Sequence, residues 1–228
     1  MNETLVSVVM PVFDGARHLA EAIEGVLAQT YRPVELIVVD DGSSDDSAEI
    51  ARRYAPSVRV LVQSHEGCGS ARNRGAEVAS GAYLGFCDAD DRYPPDRLRR
   101  QLTALTSSPD LDGVFGELAE FVSPDLGEDV TSQLRAPIET RSARMMITML
   151  LRVDAFWRVG PFSTDFGRGL ELDWLARADD LGIRIGACDG VVTYRRLHDA
   201  STGFRRRGEE DDYLRAVRSA IARRRHLS

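Results

Sequence analysis

Asp88, Asp90 and Asp91 crowd three carboxylates into four positions at the end of the apolar run in LGFCDADDRYPPDRL, residues 84–98. Alternate residues of an extended strand share a face, which would aim Asp88 and Asp90 the same way. Carboxylates that close resist joint ionisation unless a cation lies between them. Hard oxygen ligands suit Mg2+ or Mn2+, which commonly take one or two carboxylates together with phosphate oxygens. The competing reading is a solvated acidic turn capping the next helix. It fits Asp91 and Asp96 better than Asp88.

Two other strand ends are polar: Pro11–Asp14 and Asp40–Ser44. In open α/β sheets ligands gather at the carboxyl ends of the strands, so three polar ends on one edge point to a pocket. Asp40 and Asp41 could cap a helix with Ser43, or a carboxylate there could accept hydrogen bonds from a base or ribose. The segment GCGSARNRG (67–75) is neither GxGxxG nor a P-loop, which argues against a typical dinucleotide or NTPase site. A helix start carrying Arg72 still suits an anionic ligand.

The elements that must position these residues follow from the hydrophobic pattern. Apolar, β-branched runs at 5–12, 34–41, 58–63 and 82–88 read as buried strands. Helical spacing at 17–28, a helix over 46–54 with Ser43, Ser44 and Asp45 as caps, and another over 70–79 separate them. This alternation predicts parallel βαβ units in a doubly wound α/β sheet. Pro94-Pro95 opens a helix with Asp96 in its first turn. Beyond 105 the expectation is a strand at 113–122, a polar loop at 123–137, and a strand or helix start at 145–153. A helix at 170–182, two short strands within 182–197 and a charged terminal helix at 209–225 complete the reading. The expected organisation is a single domain: a nucleotide-binding half (1–105), a smaller acceptor-side half (106–203) and a charged C-terminal helix (204–228).

The chain of 228 residues carries a net charge of −7, which argues against nucleic-acid binding. Arg205–Arg207 and Arg223–Arg225 are local basic exceptions that could meet phosphate or an anionic membrane face, or simply be a solvated helix end. Cys68, Cys87 and Cys188 have no CxxC spacing and read as small buried residues in a reducing compartment. The N-terminus lacks signal-peptide features, and no apolar run is long enough to span a bilayer. The expectation is a cytoplasmic protein, with peripheral membrane contact open.

Together these residues resemble an inverting family-two glycosyltransferase of the GT-A fold. The segments that carry the resemblance are VSVVMPVFDGARHLAEAIEGVLAQTY, VELIVVDDGSSDDSAEIA, GCGSARNRGAEVASGAYLGFCDADDRYPPDRL and, more weakly, FSTDFGRGLELDWLARADDLG. It implies a Rossmann-like, mostly parallel sheet with helices on both faces and a smaller acceptor-side region. The implied reaction transfers a sugar, a hexose by expectation, from a nucleotide-diphosphate sugar, with uridine donors favoured and thymidine and guanosine donors open.

The resemblance also implies roles by position. Pro11, Phe13 and Asp14 line the nucleotide pocket, Asp41 reads the nucleobase, and Arg72 lies near the base and diphosphate. Asp88-Ala89-Asp90 is the D-x-D motif that holds Mn2+ or Mg2+ against the diphosphate, with Asp91 as a further contact and His198 as a C-terminal metal ligand. Arg195 and Arg196 beside it suit phosphate oxygens. The general base comes from an acidic pair at a helix start. Here Leu170 replaces the first acid, leaving Glu171 as first candidate and Asp173 as second. Trp174 reads as core or acceptor platform, and Trp157 as core. The departure at Leu170 keeps a second reading open, a degenerate domain that binds nucleotide or a partner without turnover. A nucleotidyltransferase is weaker, because the N-terminal triphosphate-gripping loop is missing. The acceptor is not legible in the sequence.

Overall fold

A computed structural model describes residues 4–132, 136–165, 169–199 and 211–227. The basic run Arg205–Arg207 lies outside the described residues. One eight-stranded sheet runs through the molecule in the order β3 (Val58–Val62), β2 (Val34–Asp40), β1 (Val6–Val12), β4 (Tyr83–Phe86), β7 (Met149–Arg152), β5 (Gly113–Val122), β6 (Arg141–Ser142), with β8 (Ile185–Leu197) paired to β5. The strands β1 (Val6–Val12), β2 (Val34–Asp40), β3 (Val58–Val62) and β4 (Tyr83–Phe86) are mutually parallel. Each is a short β-branched or aromatic run, buried where it faces both helical layers. The expected mostly parallel sheet with helices on both faces is what the chain forms.

Helices α1 (Ala16–Leu27) and α4 (Arg97–Ser107) cover one face, where Leu19, Ile23, Leu98 and Leu102 join Val8, Met10 and Val38. Helix α3 (Cys68–Glu77) covers the other, where Ala71 and Ala76 meet Val9, Ile37 and Val39. Gly75 permits that approach, since a Cβ there would stand 2.3 Å from Cγ1 of Val9. The short α2 (Ser47–Arg52) follows β2.

The rhythm changes after α4, as the sequence suggests. β5 (Gly113–Val122) does not pair with β4. β7 (Met149–Arg152) enters antiparallel between them, and β6 (Arg141–Ser142) pairs beyond β5, after the short α5 (Glu128–Thr131). The ambiguous run at 145–153 is thus a 3-10 turn (Met146–Thr148), a strand, and the start of α6 (Val153–Val159). The two strands expected within 182–197 are one, β8 (Ile185–Leu197), parallel to β5 with a register shift between Phe115 and Leu118. Helix α7 (Leu170–Asp180) packs on the α3 face through Leu170, Trp174 and Ala178. The terminal α8 (Asp211–Leu227) lies against α7.

Arg97 fastens α4 to the second half. Its buried guanidinium donates to the carbonyls of Ile147 (2.7 Å), Val192 (3.1 Å) and Met149 (3.3 Å), to Thr193 Oγ1 (2.8 Å) and to Gln101 Oε1 (3.0 Å). A buried charge is tolerable only when its donors are satisfied in this way. Three expectations need correction. Asp96 precedes α4 rather than occupying its first turn, and pairs with Arg100 at 3.0 Å. Trp157 is 42% exposed, packing edge-on against Phe156 while Phe156 fills the core. Cys68 is exposed at the start of α3, whereas Cys87 and Cys188 are buried.

Candidate active site

The three aspartates converge through a turn, not through strand alternation. β4 ends at Phe86, and the amide of Asp91 folds back to the carbonyl of Asp88 (3.2 Å). This brings one ligand oxygen from each of Asp88, Asp90 and Asp91 within 4.8 Å of the others. Asp88 and Asp90 are partly exposed, and Ala89 between them packs against the α1-side core. Asp91 is the buried member at 2% exposure, its Oδ1 accepting from the amide of Arg196 (3.0 Å). Burial first, then Asp90 and Asp88, push its carboxyl well above the usual range.

Two segments of the second half frame this acidic turn. Arg196, also buried, donates to the carbonyl of Asp90 (2.9 Å) and to Ser123 Oγ (3.0 Å), and pairs with Glu21. Its guanidinium is thereby used inside the protein, and Arg195 stands 3.7 Å from Glu120. His198 Nε2 lies 2.9 Å from Asp90 Oδ2, which sets the histidine beside the acidic turn. The ring of His18 meets His198 edge-on at 4.9 Å. Burial, then Arg196 and His198, lower His18 to about 4, which leaves it a neutral wall.

A divalent cation fits this constellation. Asp91 Oδ2 is buried and has no hydrogen-bond partner among the described residues, and the two other carboxylates stand beside it. Hard oxygens at this spacing, with the His198 imidazole beside them, suit a divalent cation such as Mn2+ or Mg2+.

Arg72 connects the acidic turn to the candidate base. It is 3% exposed, on the first turns of α3, and faces the paired rings of Phe86 and Phe162 at 5.9 Å each. Nη2 donates to Asp88 Oδ1 at 2.9 Å and Nη1 to Glu171 Oε1 at 3.1 Å. The second oxygen of Glu171 accepts from the amide of Met146 (3.4 Å). Glu171 occupies the first turn of α7, where the helix dipole favours a carboxylate. Gly169 before it takes φ +81°, and a Cβ there would also press on Ala216 of α8 at 3.2 Å.

Asp173, two residues on, has different neighbours. It is 3% exposed, its oxygens held by Arg177 Nε (3.0 Å) and Arg223 Nη1 (2.8 Å). A cleft of about 530 Å3 opens beside it, lined among others by Pro161, Phe162, Thr164 and Arg177. Trp174 is fully buried, stacked 5.7 Å from Phe156, with its indole nitrogen donating to the carbonyl of Gly160 (2.9 Å). It is core, not a platform.

At the β1–β3 end, Pro11 is buried in β1 opposite Val39, and Phe13 stands 48% exposed. Asp14, at φ +48°, accepts from the amide (2.7 Å) and hydroxyl (3.1 Å) of Ser44, tying the first two strand ends together. Asp41 is buried and its carboxylate accepts from three donors, Gln63 Nε2 (2.7 Å) and the amides of Glu66 (2.9 Å) and Gly67 (2.8 Å), while His65 Nδ1 stands 2.9 Å from its Oδ2 and 3.2 Å from its carbonyl oxygen. His65 also stacks on Phe13 at 4.0 Å. The sequence reading missed His65, His18, Glu21 and Gln63. The available signal for His65 and Gln63 was their position just past β3, at the same sheet edge as the polar strand ends.

Comparison with known proteins bears on the family and the fold. The family described as Glycosyl transferase family 2 matches residues 7–153. Glycosyltransferase AglE of Haloferax volcanii is 31% identical over 207 residues, spanning 84% of this chain and 67% of that one. The chain covers only 34% and 33% of two other curated relatives, uncharacterized glycosyltransferases of Rickettsia prowazekii and Escherichia coli. Among solved structures, TarS of S. aureus (residues 1–349) in complex with UDP-GlcNAc superposes with a TM-score of 0.73 at 17% identity, over 95% of this chain and 65% of that one. The mannosyltransferase PcManGT of Pyrobaculum calidifontis, with GDP-Man and Mn2+, gives 0.73 at 18% identity, over 97% and 65%. These likenesses establish the fold as GT-A.

Proposed function

The chain belongs to glycosyl transferase family 2, and from that premise we propose that it catalyses inverting, metal-assisted transfer of a hexose from a nucleotide-diphosphate sugar to an acceptor hydroxyl. The observation that carries this reading is Arg72, which joins Asp88 of the acidic turn to Glu171 at the start of α7. Metal ligands and base then belong to one hydrogen-bonded unit.

Asp88, Asp90, Asp91 and His198 would hold Mn2+ or Mg2+. The ion, when bound, offsets the negative charge that grows on the departing nucleoside diphosphate. Glu171 takes the proton of the acceptor hydroxyl as that oxygen attacks the anomeric carbon from the face opposite the leaving group. Arg72 orients the Glu171 carboxylate. Asp173, held by two arginines, serves to position α7 and α8. Pro11, Phe13, Asp14 and Asp41 form the nucleotide end. Uridine donors are the first to test and guanosine donors the second, given the ligands held by TarS and PcManGT.

Leu170, buried where the family's first acid would stand, favours a second reading: a domain that binds donor without turnover. A transfer and donor-hydrolysis screen with Mn2+, run on wild type and Glu171→Gln, separates the two. Transfer is expected in the wild type and lost in the variant, with nucleotide-diphosphate affinity retained. Donor binding without transfer or hydrolysis by the wild type across the panel would establish the second reading instead.

A further inference from the structure

Helix α8 is docked with its apolar stripe facing outward. Its inner side is small and polar: Ala216 is buried and Arg223 reaches Asp173 (2.8 Å), while the exposed Arg224, seven residues on from Val217, reaches Asp180 at the edge of α7 (2.7 Å). Leu214, Val217 and Ile221, spaced three and four residues apart, form one stripe on the other side. They are 50%, 46% and 49% exposed, a concentration of large apolar side chains that a solvated helix does not need. Arginines stand beside the stripe: Arg218, with no ion pair among the described residues, and the exposed Arg215, paired with Asp212 on the same helix.

We propose that this outer face of α8 docks on an anionic lipid surface. An apolar stripe edged by cationic side chains is the pattern of a helix lying in the membrane interface. The aliphatic groups enter the acyl boundary while the guanidinium groups stay at the headgroups. The local charge matters because the whole chain is at −7 and an acidic surface repels it elsewhere. A second copy is the less suitable occupant. It would set Arg215 and Arg218 against their own equivalents, over a stripe of three side chains that falls short of a stable interface of about 1,000 Å2. No helix among the described residues is long and apolar enough to cross a membrane, so the contact is peripheral.

The test is co-sedimentation of the full chain with phosphatidylcholine vesicles, with and without phosphatidylglycerol, read without any turnover. Binding is expected only with phosphatidylglycerol, weakened by salt, and reduced about tenfold or more in Val217→Asp and Ile221→Asp. Arg218→Gln should lower affinity and flatten the salt dependence. Both positions of the apolar variants are exposed, and unchanged thermal melting would show that they fold. Failure of the wild type to bind either vesicle would overturn the proposal, as would undiminished binding by both apolar variants. Light scattering supplies a further check, since a dimer that Ile221→Asp dissociates, without vesicle binding, would assign the stripe to a second copy.

Discussion

Arg72 donates to Glu171 at 3.1 Å across 99 residues of sequence, and the same guanidinium holds Asp88 at 2.9 Å. The candidate base and the first acid of the acidic turn are therefore set by one buried side chain. Lysine keeps the charge but cannot span both carboxylates as a planar fork. Arg72→Lys is expected to lower kcat about a hundredfold while changing nucleotide-diphosphate affinity less. Steady-state kinetics beside calorimetric titration would check it. Equal losses in kcat and affinity would instead place Arg72 wholly in donor binding.

Asp91 bears the repulsion of the acidic turn, because it is buried beside two like charges with an oxygen left unpaired. Asparagine keeps the acceptor for the Arg196 amide and removes the charge. In the metal-free protein Asp91→Asn should therefore melt higher, by about 2–4 °C for roughly 1 kcal/mol in a chain of this size. The same variant should lose the Mn2+-induced rise in Tm that EDTA reverses in the wild type. A lower metal-free Tm with the Mn2+ response intact would remove Asp91 from the ligand set.

His65 covers the exposed ring of Phe13 and holds one oxygen of Asp41, where the nucleobase is proposed to lie. A base that stacks on Phe13 must displace it. His65→Ala is expected to bind uridine diphosphate more tightly, by about two- to tenfold, the worth of one ring stack. Weaker binding by the variant would mean that His65 is itself part of the base pocket.

Asp173 and Glu171 can be told apart by what each loss costs. Removing the Asp173 carboxylate takes from Arg177 and Arg223 their buried anionic partner, so Asp173→Ala should destabilise the fold by about 2–3 kcal/mol. The protein that remains folded should still transfer sugar. Glu171→Gln should do the opposite, with little change in melting and loss of transfer. Loss of transfer by fully folded Asp173→Ala would return Asp173 to the role of base.

Much of the first half was legible because its signals are local. VSVVMPV and VELIVVD announce buried strands by composition, and the spacing of Asp88, Asp90 and Asp91 announces a cluster of carboxylates. The arrangement of that chemistry was not legible, because it depends on partners far along the chain. Asp91 is buried because the backbone at Arg196 covers it, and Asp90 has its histidine only because β8 runs parallel to β5. Pattern also cannot say which of two neighbouring aromatics turns inward: Phe156 fills the core and Trp157 does not. The pairing of Arg72 with Glu171 leaves no local trace at all.

The place of β7 has a consequence for how the protein is made. Residues 149–152 fill the gap between β4 and β5, so on the ribosome the four parallel strands stand with the β4 edge bare until that segment emerges. A bare edge is a template for unwanted pairing. The acidic turn just past β4 waits longer still, until Arg196 and His198 arrive to frame it. Nascent chains that stop short of β8 would carry the aspartates without their frame, which only the strand formed by residues 185–197 completes.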